Sequence, residues 1–196
     1  AFGFNAVRIH HHDNEIYDRG GNNPSRIDPE RVDRLDCLLA CLKKRGIYYT
    51  TDVYVSRRNI PAAELGSAGA IATPNEYKAL FYINDDVYAD WERWAKAFLT
   101  RVNPHTGLAL KDDPALITLS LVNEGNPDSW WNRSPRAMPL YNARFAEWKK
   151  THTNGTFVEF LSELTSGRYR QMAEFLRSLG CRALLTDQNF LCNLPL

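Results

Sequence analysis

The sharpest chemistry in the sequence is the pair Asn123-Glu124. It follows Ala115-Leu116-Ile117-Thr118-Leu119-Ser120-Leu121-Val122, an apolar run that predicts a strand buried on both faces. Packing explains an amide and a carboxylate at that point poorly. Parallel α/β folds place their active sites at the carboxyl ends of such strands. A glutamate there can serve as general acid and base. The plainer alternative is an exposed loop glutamate.

The run His10-His11-His12-Asp13 is the second candidate. Val7 and Ile9 alternate with Arg8 and His10, which predicts a strand from Phe4 to His12. Arg8, His10 and His12 then share one side and are expected to face the same mouth. An H-x-H pattern can also hold a divalent metal, but it needs ligands from other strands. The other predicted strands contain no histidine. Structural hydrogen bonding is a third reading. Gly66-Ser67-Ala68-Gly69 is too short and isolated to be read as a phosphate loop.

These residues need a scaffold, and the chain predicts one. Asp28-Pro29-Glu30 starts a helix, with Asp28 as N-cap and Pro29 in the first turn. Val32, Leu35, Leu38, Leu39 and Leu42 continue it, and Gly46 stops it. A strand is predicted from Ile47 to Val55. Residues 56–84 read as a long excursion with little regular structure. A helix follows from Asp85 to Val102, with Trp91 and Trp94 expected in the core. Helical pattern resumes near Leu140 and is strongest from Phe157 to Leu179. A last strand is predicted from Ala183 to Phe190, whose Asp187, Gln188 and Asn189 are expected at the mouth. The order β-α-β-α-β-α-β predicts parallel strands joined by crossovers, with helices packed outside.

Composition narrows the function classes. The 196 residues are 44% hydrophobic and 24% charged, with net charge +1, which is a globular balance. That charge argues against nucleic-acid and membrane-surface partners. No run of about 18 apolar residues predicts a membrane span. Cys37, Cys41, Cys181 and Cys192 form no Cys-x-x-Cys pair and are expected as free, buried thiols. Asn132 and Asn154 start N-x-S/T sequons, which matter only in a eukaryotic secretory setting. The abrupt ends, at Ala1-Phe2-Gly3 and Leu194-Pro195-Leu196, read as those of a fragment.

The segment from Asp113 to Glu124 resembles the fourth strand of the clan A glycoside hydrolases, and of family 5 in particular. Gly3-Phe4-Asn5-Ala6-Val7-Arg8-Ile9 resembles the second strand of that family. Leu42-Lys43-Lys44-Arg45-Gly46-Ile47-Tyr48 resembles the helix end and third strand. The resemblance implies a partial (β/α)8 barrel, roughly strands 2 to 5, forming one incomplete catalytic domain over residues 1–196. A complete barrel typically takes about 250 residues.

The resemblance also implies a retaining glycosidase acting on β-linked oligo- or polysaccharides, without a cofactor. Glu124 matches the acid/base carboxylate. Asn123 matches the residue that binds the sugar 2-hydroxyl, and Arg8 the arginine beside the nucleophile. The nucleophile glutamate belongs on a seventh strand, outside this chain. Tyr54 stands where family 5 often carries a histidine, a departure from the usual cellulase subsite. His10, His12 and Tyr54 are expected to contact substrate. Trp130 and Trp131 follow Glu124 closely, and Trp131 is taken as a sugar platform. The 56–84 excursion is placed to wall off one end of the cleft.

The family favours a secreted or periplasmic setting. Open sheet edges predict self-association of a half-barrel. A non-catalytic carbohydrate-binding barrel remnant is the alternative reading, and a metal-dependent barrel hydrolase built on His10 and His12 is a further one.

Overall fold

The computed structural model describes residues 3–20 and 26–188. In chain order its elements are β1 (Ala6–Ile9), α1 (His12–Ile16), α2 (Pro29–Lys44), β2 (Tyr48–Tyr54), α3 (Ala62–Leu65) and α4 (Pro74–Phe81). Then follow α5 (Asp85–Thr100), β3 (Leu116–Asn123), α6 (Pro127–Trp130), α7 (Ala137–Trp148), α8 (Phe157–Ser178) and β4 (Leu184–Gln188). The strands form one sheet in the order β1-β2-β3-β4, and every pairing is parallel. Helices cover its outer side, as the pattern predicts for part of a β/α barrel.

Local chemistry sets the helix ends. The Asp28 carboxylate accepts from the backbone N–H groups of Glu30 and Arg31, both at 3.0 Å, ahead of Pro29. Gly46 takes the positive φ of 68° that lets the chain turn out of α2. Thr156 and Glu159 close a reciprocal capping box at the start of α8.

The outer layer is fastened to the strands by tryptophan. Trp91 and Trp94 lie on the inward stripe of α5, 0% and 2% exposed. Their indole N–H groups donate to Leu121 O on β3, at 3.2 Å, and to Val53 O on β2, at 2.8 Å. Trp94 also lies under the guanidinium of Arg57, whose buried charge pairs with Asp90. Each ring therefore adds directional bonds to its area burial.

Four sequence expectations need correction. The first strand is shorter than predicted: it ends at Ile9, His11 takes a left-handed φ of 59°, and His12 begins α1. The cause is Asp13. Its carboxylate accepts from the backbone N–H groups of Val55, Ser56 and Arg57, at 2.8–2.9 Å, and folds the chain over the end of β2.

Residues 56–84 are not irregular. They contain α3, a 3-10 turn at Gly66–Ala68, α4 and an antiparallel bridge between Ile60 and Ile71. Leu65, Ile71, Tyr77, Leu80 and Phe81 bury this segment against the core. The helical region after Leu140 is two helices, separated around Thr153-Asn154-Gly155. Cys37 and Cys41 are free but exposed, because α2 turns that face outward; Cys181 is buried. Cys192 and Asn189 lie outside the described residues.

Trp94→Ala removes the indole, its bond to Val53 and its cover over Arg57. Urea denaturation is expected to show a loss of about 3–5 kcal/mol. A loss below about 1 kcal/mol would show that α5 is held elsewhere.

Candidate active site

Parallel register brings three neighbouring strands to one point. Arg8 pairs with Thr50 between β1 and β2, and Asp52 with Ser120 between β2 and β3. The pairing of β3 with β4 shifts register between Ser120 and Asn123, and Asn123 meets Arg8. Hydrogen bonds join Arg8, His10, Asp52 and Asn123 at the strand ends, and Glu124 is the next residue in the chain.

Asp52 is the hub. Its carboxylate is fully buried, with 0% side-chain exposure. It accepts from Arg8 Nη2 at 3.1 and 3.3 Å and pairs with His10 Nδ1 at 2.9 Å. The same Arg8 Nη2 donates to Asn123 Oδ1 at 2.7 Å. That bond settles the orientation of the amide, because a guanidinium can only donate. The Asn123 NH2 group is left to donate to a ligand.

Glu124 lies just beyond. Its φ of 50° is left-handed, which is strained for a residue with a side chain. Two features hold the turn. Trp130 Nε1 donates to Glu124 O at 2.5 Å. A Cβ on Gly125 would stand 2.5 Å from Val122 Cγ1, so this position takes only glycine without displacement.

Other expected site residues are placed elsewhere. Tyr54 is 0% exposed, donates to Arg57 O at 2.7 Å and stacks on Tyr77 at 4.0 Å between centroids. It is core, and burial pushes its hydroxyl well above the ordinary tyrosine pKa. His12 does not share the mouth with His10. It sits in α1, stacked on Phe98 at 4.8 Å, with Nδ1 3.4 Å from Thr51 Oγ1. The pair His10 and His12 therefore does not converge on a metal. Among the described residues no group of three or more His, Cys, Asp or Glu could hold one.

Trp131 packs on Phe157 and Tyr141, with centroids at 4.6 and 6.4 Å. Trp130, not Trp131, is bonded to the Glu124 peptide. Asp187 accepts from Tyr169 of α8. Sequence reading missed Asp52; its signal was a charge between Thr51 and Val53 inside a predicted strand.

Two buried groups make this region sensitive to acid. Burial pushes His12 below its ordinary pKa of 6.5, although Asp13 and Asp52 pull the other way. The unfolded chain therefore binds this proton first, and stability falls as pH drops below about 6.5. Asp13 adds to the loss at lower pH. Burial opposes its charge, but His12 and three backbone N–H groups hold its carboxyl below 3.8. His12→Gln is expected to flatten the loss between about pH 6.5 and 5, which is at most about 1.4 kcal/mol per pH unit. An unchanged slope by chemical denaturation would remove His12 as the cause.

No protein-family model matches the chain. It is 30% identical over 121 residues to mannan endo-1,4-beta-mannosidase 3 of Oryza sativa, covering 56% of this chain and 25% of that protein. Its fold matches the endo-beta-1,4-mannanase of Thermotoga petrophila at a TM-score of 0.55 and 18% identity, covering 94% of this chain and 36% of the other. It also matches a glycoside hydrolase family 5 mannosidase of Rhizomucor miehei, in a variant bound to mannosyl-fructose. That match has a TM-score of 0.50 and 13% identity, covering 94% of this chain and 42% of the other. The chain thus spans a quarter to under half the length of these relatives. Its sequence is similar to part of a mannan endo-1,4-beta-mannosidase, and its four parallel strands with their helices match part of the β/α fold of those mannanase and family 5 mannosidase structures.

Proposed function

We propose that this chain supplies the proton-donor half of a retaining glycoside hydrolase acting on β-1,4-linked mannan-type polysaccharide. The observation that carries the reading is the bonded series Asp52–Arg8–Asn123, which ends beside Glu124 at the strand ends. In this reading Glu124 gives its proton to the leaving glycosidic oxygen as the sugar–oxygen bond breaks. It then takes a proton from the water that releases the sugar. The Asn123 amide, oriented by Arg8, donates to the 2-hydroxyl. His10, held through Nδ1, offers Nε2 to another hydroxyl. Arg8 is 37% exposed and is placed to pair with a nucleophile carboxylate about 5–5.5 Å from Glu124. The nucleophile comes from sequence outside this chain.

Glu124→Ala in the intact gene product is expected to lower kcat/KM on β-1,4-mannan by about 10²–10⁴-fold. On 2,4-dinitrophenyl β-mannoside, whose leaving group needs no proton, azide should restore turnover of the variant and give the β-mannosyl azide. Full activity without Glu124, or an α-configured azide, overturns the assignment.

The chain alone is expected to release no sugar from mannan, since half of the carboxylate pair is missing. It should also self-associate. Among the described residues nothing pairs with the outer edges of β1 and β4, and Tyr48, Ile117 and Leu184 are 47%, 40% and 69% exposed. Turnover by a monodisperse monomer, judged by light scattering, contradicts both statements.

A further inference from the structure

We propose that Trp130 is a positioning residue for this reaction: its indole N–H latches the turn that carries Glu124 and so sets where the proton donor points. The inference rests on the reading of Glu124 as the acid/base.

The chain between the two residues closes a small ring. β3 ends at Asn123, Glu124 takes its left-handed φ of 50°, and α6 begins at Pro127. The Asn126 amide donates to Asp128 and, at 2.9 Å, to Ser129 Oγ. The Ser129 and Trp131 N–H groups donate back to Asn126 O and Pro127 O, at 3.2 and 2.8 Å. This one turn of helix brings Trp130 round to the residue six positions earlier. There its Nε1 donates to Glu124 O at 2.5 Å.

The indole is itself held in place. Trp130 is 6% exposed. The Lys78 ammonium, from α4, lies 5.2 Å from its ring centroid, and the Arg133 guanidinium lies at 5.0 Å. Two cation–π contacts therefore fix the ring, one of them from an element outside the loop. On the strand side the turn sits so close to Val122 that Gly125 has no room for a Cβ.

The latch acts on one neighbour and spares the other. Asn123 has its own anchor, the bond from Arg8 at 2.7 Å. Glu124 aims its side chain through its own backbone angles, and the left-handed region is uphill for a residue with a Cβ. Without the indole donor, the turn can relax to a negative φ and swing the carboxyl away. Proton transfer needs the two heavy atoms about 2.6–3.2 Å apart. The loss therefore falls on the proton steps, while the sugar stays bound through Asn123. In the first step the leaving oxygen takes the Glu124 proton as its bond to the sugar breaks, and the nucleophile carboxylate takes the sugar carbon. In the second, water gives a proton to Glu124 as its oxygen displaces that carboxylate.

Trp130→Phe keeps a ring against Lys78 and Arg133 and removes the donor. In the intact gene product, kcat/KM on a manno-oligosaccharide is expected to fall about tenfold or more. On 2,4-dinitrophenyl β-mannoside, which needs no proton to leave, kcat/KM should change by less than about threefold. On that substrate kcat and KM should fall together, because the second step still needs Glu124 as base. Azide, which needs no base, should restore kcat.

Equal losses of kcat/KM on both substrates, or no loss on either, overturn the proposal. If Trp130→Phe does not fold, Trp130→Tyr carries the same comparison. Failure of both to fold makes Trp130 a structural residue and overturns the proposal too. Full activity of Glu124→Ala overturns this inference together with the functional reading. A Glu124-dependent enzyme whose substrate ratio ignores Trp130 overturns this inference alone.

Discussion

The site depends on one carboxylate that never meets water. Asp52 lies wholly buried in β2 and is bound by Arg8 of the neighbouring strand and by His10 just past that strand's end. Burying a carboxylate is expensive unless its oxygens are filled, and here both are. The consequence reaches beyond the pair. Arg8 is held by two bonds to Asp52, so its Nη2 can address Asn123 in one geometry only. Asn123 then presents its amide hydrogens in a defined direction. Three strands are tied at the level where their carboxyl ends open.

The opposite side of the sheet does the complementary work. There Asp13 satisfies the N–H groups that β2 leaves unpaired at its end. Trp91 and Trp94 bond to strand carbonyls from α5. A polar hub on the inner face and an aromatic layer on the outer one fix the same strand ends from both sides. Positional precision at Glu124 needs both, because a site built on rigid strands inherits their rigidity.

Much of this was legible in the sequence, for identifiable reasons. The apolar run before Asn123-Glu124 left no packing role for the pair. Asp28-Pro29 and the tryptophan spacing of α5 are local signals that tertiary contacts reinforce. The failures share a cause. Asp13 and Asp52 derive their meaning from partners 42 or more residues away. No local period reports such contacts. His12 was placed on the wrong side because alternation was extended past Ile9, where Asp13 bends the chain. The α4 start was readable after all. Thr73-Pro74-Asn75-Glu76 carries a cap, a first-turn proline and an acidic third position, and Thr73 does accept from Glu76 N.

The remaining features conflict with stability, and they cluster at one place. Glu124 occupies a left-handed backbone and Gly125 gives up side-chain packing. Each is unfavourable by itself, and each lies in the turn that Trp130 holds. A fold under selection for stability alone would replace them with a regular turn. Their coincidence around one carboxylate supports the proposed reading of Glu124 as a proton donor. The strained turn, held by the Trp130 bond, sets where Glu124 points before any substrate arrives.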